Sequence, residues 1–83
     1  MSYSIEWDRK ALKFFESLQK DISERIIKKL DSIKVDPFRY LEHYEGDYYK
    51  LRIGGYRALV DIDHKNKILT IQVFDKRGRI YKR

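Results

Sequence analysis

The sequence predicts an α+β domain of order β-α-α-β-β-β, with a helical hairpin packed on one face of a small, mainly antiparallel twisted sheet. Three observations lead there. Two stretches of helical apolar spacing precede the single proline, Pro37, and three alternating runs follow it. The turns between those runs, assigned from local chemistry alone, place one continuous apolar surface on a single sheet face. At 83 residues the chain can bury one core, so a single domain is expected over residues 1–83.

The first strand is the alternation "YSIEW", residues 3–7, with Tyr3, Ile5 and Trp7 on one side. Asp8 then offers its carboxylate as an N-cap for a helix over residues 9–20, whose stripe is Ala11, Leu12, Phe14, Phe15 and Leu18. A break near Lys20-Asp21 opens a second helix over residues 21–35. Its apolar positions are Ile22, Ile26, Ile27, Leu30 and Ile33, and Pro37 ends it. Residues 38–47 show no period and are expected to be a loop.

Three strands are then predicted, at 48–53, 56–63 and 67–74. Gly54-Gly55 forms the first turn and Lys65-Asn66 the second. These turns pair 53 with 56, 58 with 73, 60 with 71 and 62 with 69. The inner face becomes Leu51, Ile53, Ala58, Val60, Ile62, Leu69, Ile71 and Val73. The outer face becomes Tyr48, Lys50, Arg52, Arg57, Leu59, Asp61, Thr70, Gln72 and Phe74.

Composition narrows the function. With no cysteine, a disulfide framework and a Cys-based zinc site are both excluded, which fits the expected cytoplasmic location. No targeting or membrane segment is read, because charge interrupts the chain from Glu6 onward. The net charge of +6 is unevenly spread: residues 50–83 carry +7, and residues 1–49 carry −1. Such asymmetry points to a polyanion, and to nucleic acid before membrane, because no basic amphipathic helix carries the charge.

On the outer face, Lys50, Arg52 and Arg57 converge beside Tyr48 and Phe74, and Arg52 is set directly opposite Arg57. Opposed like charges destabilise a sheet unless an anion screens them, so this cluster is a candidate phosphate site. The closing run "DKRGRIYKR" adds Lys76, Arg77, Arg79, Tyr81, Lys82 and Arg83. Cations favour phenolate, which would suit Tyr81 for proton transfer. His43 and His64 lie on loops without metal-ligand spacing. No phosphate loop or Ser-His-Asp arrangement can be assembled, so neither metal nor cofactor is expected.

"YYKLRIGGYRALVDID" and the terminal "VFDKRGRIY", after an aromatic-ended strand and a helical hairpin, resemble the RelE/ParE superfamily of bacterial and archaeal toxin–antitoxin toxins, within it the RelE branch. The resemblance covers essentially the whole chain. It implies the RelE-like fold and a ribosome-dependent, metal-independent endoribonuclease that cuts mRNA in the ribosomal A site. Carried over by motif, Lys50, Arg52, Arg57, Arg77 and Tyr81 would be catalytic. Arg52 stands where lysine is frequent, a swap that keeps charge but changes hydrogen-bond geometry. Tyr48, Lys76, Arg79, Lys82 and Arg83 would contact RNA or ribosome.

The implied reaction is attack of the 2′-OH on the adjacent phosphorus, leaving a 2′,3′-cyclic phosphate. The resemblance also implies a RelB-like antitoxin, with a heterotetramer among the assemblies it allows, and no membrane partner. Two alternatives stay open: a ParE-like poison of DNA gyrase, whose branch generally lacks this basic–tyrosine constellation, and a noncatalytic RNA-binding module, which would bind without cleaving.

Overall fold

The computed structural model describes residues 2–76 and contains two α-helices against a five-stranded sheet. Strand β1 spans Ser4–Trp7 and leads into Asp8, whose extended backbone (φ −63°, ψ 149°) lets its carboxylate accept from the Lys10 N–H at 3.1 Å. Helix α1, Arg9–Glu16, follows from that cap. It is shorter than the apolar stripe suggests. The Ser17 hydroxyl donates to the Phe14 carbonyl at 2.6 Å, and the Leu18 N–H bonds the Phe15 carbonyl at 3.1 Å, tightening the last turn to a stop. Helix α2 runs Lys20–Ile33. Pro37 disfavours helical backbone at Asp36 and opens a 3-10 turn, Pro37–Arg39.

The remaining strands are β2 (Glu42–Glu45), β3 (Tyr48–Ile53), β4 (Tyr56–Asp63) and β5 (Ile68–Lys76), in the sheet order β1-β5-β4-β3-β2. Only β1 pairs in parallel, against β5, because the helical hairpin carries the chain away from it; the other neighbours are antiparallel. Both expected turns form. Ile53 faces Tyr56 and Arg52 faces Arg57 across Gly54-Gly55, where Gly54 (φ +57°) takes the left-handed backbone that a tight hairpin demands. The second connection spans four residues rather than two, since pairing stops at Asp63↔Ile68. The Asp63 carboxylate accepts from the Asn66 N–H (3.0 Å) and from its side-chain amide (2.8 Å), closing the turn locally.

Two further corrections concern the strands. Part of the stretch read as a loop is the edge strand β2, paired with β3 through Glu42↔Lys50, His43↔Tyr49 and Glu45↔Tyr48. His43 is therefore a strand residue; its Nε2 donates to the Gly46 carbonyl at 2.8 Å. An edge strand with little buried on either side has no apolar alternation to reveal it.

The second correction is a bulge. The pairs Ile62↔Leu69 and Val60↔Ile71 hold as expected, but the next are Leu59↔Val73 and Ala58↔Phe74, leaving Gln72 over. One extra residue reverses the faces of everything after it. Phe74 turns inward to 3% exposure, and Val73 turns outward to 40%. The inward ring meets Trp7 (5.6 Å), Phe14 (5.7 Å), Phe15 (6.2 Å) and Tyr56 (5.6 Å) between centroids. Burying a phenylalanine stabilises by about 2–3 kcal/mol, which outweighs exposing the smaller valine.

The core joins Ala11, Ile26, Leu30 and Ile33 of the helices to Leu51, Ile53, Ala58, Val60, Leu69, Ile71 and Phe74 of the sheet. Ile27, grouped with the buried stripe by spacing, is exposed instead. No helix among the described residues is long and apolar enough to cross a membrane.

Candidate nucleic-acid interface

With the helices on the inner face, the outer face is set by register and reads in three rows. At the turn end stand Arg52, Arg57 and Asp75. Next come Glu42, Lys50, Leu59 and Val73. Last are Glu45, Tyr48, Asp61 and Thr70. The bulge puts Asp75 and Val73 here and removes Phe74, which had been expected beside the cations.

Arg57 is the only buried polar or charged residue among the described residues, at 6% exposure. Its Nη1 folds back over the hairpin and donates to the carbonyls of Tyr56 (3.1 Å) and Gly54 (3.4 Å). Among the described residues it forms no ion pair. No buried side-chain nitrogen or oxygen among the described residues lacks a hydrogen-bond partner. A desolvated cation held on two carbonyl dipoles, with no carboxylate paired to it among the described residues, favours the approach of an anion. Arg52 is exposed, so the two opposed arginines diverge, and Asp75 across from Arg57 offsets part of the repulsion.

Lys50 is not an isolated cation. Its Nζ lies 3.4 Å from Glu42 Oε1 and 5.9 Å from the Tyr44 ring centroid, both supplied by β2. Sequence reasoning missed Glu42 because it missed the strand. The "EGD" turn, with Gly46 at φ +57°, was the available signal. Tyr48 is exposed and lines a hollow of about 340 Å³ with Glu45, Gly46, Asp47 and Asp61. The face is therefore cationic at the turn end and acidic at the other.

Lys76 pairs with Tyr56, whose ring belongs to the core side, so the register separates it from Lys50, Arg52 and Arg57. Arg77, Arg79, Tyr81, Lys82 and Arg83 lie outside the described residues. Strand β5 passes the Arg52–Arg57 row at Asp75 and ends one residue beyond it, at Lys76. His64 stacks on Phe38 (5.6 Å, 5° between planes), and His43 packs edge-on to Tyr49 (5.6 Å, 86°). Among the described residues no His, Asp and Glu side chains group so as to hold a metal.

The family described as the ParE toxin of type II toxin–antitoxin system, parDE, matches residues 5–81. The chain belongs to this toxin family. The match includes Lys50, Arg52 and Arg57 and extends through Arg77 and Tyr81. No curated protein matches the chain by sequence.

Among solved structures, the toxin is similar to the archaeal RelE–RelB complex from Pyrococcus horikoshii. The identity is 25% over 95% of this chain and 99% of that one, with a TM-score of 0.76. It is also similar to the intact E. coli RelBE toxin–antitoxin complex, at 26% identity over 94% and 100%, TM-score 0.75. The RelBE2 complex from Mycobacterium tuberculosis shares the fold at TM-score 0.82, with 20% identity over 93% and 100%. These likenesses place the toxin in the RelE/ParE superfamily, with RelE-like architecture.

Proposed function

We propose that this toxin is a RelE-type endoribonuclease that cleaves mRNA in the ribosomal A site and so arrests translation. One observation carries the reading: a guanidinium, Arg57, more than nine-tenths buried without an ion pair among the described residues, on the sheet face it shares with Arg52 and Lys50. A basic site of this kind suits a phosphate whose charge grows during reaction.

In the proposed reaction, the mRNA 2′-oxygen bonds to the adjacent phosphorus while the bond from phosphorus to the 5′-oxygen breaks, leaving a 2′,3′-cyclic phosphate. A base takes the 2′-OH proton, and an acid protonates the departing 5′-oxygen. Tyr81 is assigned the base role. Lys50, whose ammonium faces Glu42, is assigned electrostatic support. Arg57 and Arg77 neutralise the equatorial oxygens, and Arg52 or Arg77 serves the leaving oxygen. Tyr48, exposed at the far row, offers a ring for stacking a base.

Among the described residues no helix covers the outer face, and the ribosome is assigned the positioning of the substrate. This reading places the protein in the cytoplasm, opposed by a RelB-like antitoxin as in the archaeal and E. coli complexes.

Primer extension on mRNA translated in vitro tests the proposal. Cleavage within the A-site codon is expected from the wild-type chain and not from Arg57→Ala or Arg77→Ala variants that retain the fold. Full cleavage by both folded variants would reject the site. The family's ParE description favours a second reading, inhibition of DNA gyrase. A supercoiling assay on the same preparation separates the two.

A further inference from the structure

On the helix side of the β3–β4 turn lies a groove of about 280 Å³, lined by Arg25, Ile26, Lys29, Ile53, Gly54 and Tyr56. Its floor is apolar: Ile26 is 2% exposed and Ile53 is 6% exposed. Its rim is cationic. Arg25 and Lys29 sit one helical turn apart on α2, both exposed, and neither is in an ion pair among the described residues. Like charges at this spacing destabilise a helix by a few tenths of a kcal/mol, roughly 0.2–0.5. Lys29 packs its ammonium 4.5 Å from the Tyr40 ring, a neutral partner that leaves its formal charge in place.

We infer that this groove is a docking site for an acidic segment of a protein partner, one that inserts a bulky apolar side chain between flanking carboxylates. The floor wants an aliphatic or aromatic side chain, and the rim wants anions on either side of it. A nucleic-acid backbone would satisfy the rim and leave the floor empty. The inference deepens the partner half of the proposed function and is independent of the cleavage chemistry.

The location has a consequence for the outer face. Gly54 and Tyr56 line the groove, and their carbonyls are the two that hold Arg57. An occupant therefore bears on the segment that positions the buried arginine, although it sits on the other side of the sheet.

The test is an amide chemical-shift titration of the 15N-labelled full chain with the peptide acetyl-Asp-Leu-Glu-Leu-Asp-amide. Saturable, salt-sensitive shifts are expected at Ile26, Ile53, Gly54 and Tyr56. The double variant Arg25→Glu/Lys29→Glu, checked for unchanged circular dichroism and melting, should bind this peptide at least about tenfold more weakly. A peptide with lysine at the acidic positions should bind that variant instead. Shifts confined to Lys50, Arg52 and Arg57 would overturn the proposal, as would unchanged affinity in the double variant or no saturation at millimolar peptide. Equal groove shifts from a uridine oligonucleotide would overturn the choice of a protein segment. No ribosome is involved, so loss of the cleavage reading leaves this result interpretable, and the reverse.

Discussion

Arg57 separates what a residue does for folding from what it does for function. A buried guanidinium with no ion pair among the described residues costs desolvation, offset in part by its bonds to the Tyr56 and Gly54 carbonyls. Arg57→Met keeps the volume of the side chain and removes the charge. Its thermal midpoint is expected to equal or exceed that of the wild type, while translation arrest is lost. A large drop in melting temperature with arrest retained would make Arg57 a structural residue. Phe74 is the opposite case. Truncating it to alanine should cost about 3–4 kcal/mol in denaturant unfolding, because four rings close on it. Val73→Ala, on the exposed side of the same strand, should cost less than about 1 kcal/mol.

At the level of elements, the turns were legible and the edge was not. Asp8 as a cap and Gly54-Gly55 as a hairpin depend on neighbours within a few residues, which the sequence displays directly. The second turn was legible in place but not in length, since the expected Lys65-Asn66 pair became a four-residue connection closed by Asp63 and Asn66. The Asp63–Asn66 turn carries its own pH signature. Hydrogen bonds from the Asn66 amide and backbone hold the Asp63 carboxyl below its ordinary value. A folded pKa below the unfolded one gives stability that is present above the unfolded pKa and is lost as pH falls through the folded one. Asn66→Ala should move the Asp63 carboxyl resonance midpoint upward in an NMR titration; an unchanged midpoint would show that the turn does not depend on this contact.

Strand β2 and the Gln72 bulge escaped the sequence because neither is a local property. Pairing of Glu42 with Lys50 requires a strand that buries almost nothing. The bulge requires that Phe74 find Trp7 and α1, about sixty residues earlier in the chain.

Across the whole molecule, charge is divided by the sheet. The outer face grades from Arg52 and Arg57 to the hollow lined by Glu45, Asp47 and Asp61, so a polyanion is favoured at the turn end and repelled at the other. Binding of a single-stranded RNA oligonucleotide should weaken with salt, with a slope of log K against log salt of roughly −2 if Lys50, Arg52 and Arg57 each meet a phosphate. Asp47→Asn and Asp61→Asn together should tighten that binding, measured by fluorescence anisotropy. A slope near zero would remove the phosphate contacts from the reading.

The sequence by itself determined the α+β class, both helices, the two long hairpins, the apolar inner face up to Ile71 and the opposition of Arg52 to Arg57. Each of these follows from periodicity or from turn chemistry acting over a few residues. Tertiary structure alone decided that Arg57 is buried while Arg52 is not, and that Lys50 is held by Glu42. It also decided that Asp75 rather than Phe74 completes the basic row. Those outcomes depend on which distant ring or carboxylate wins a place, a competition settled by packing volume and charge across strands and invisible to any local pattern.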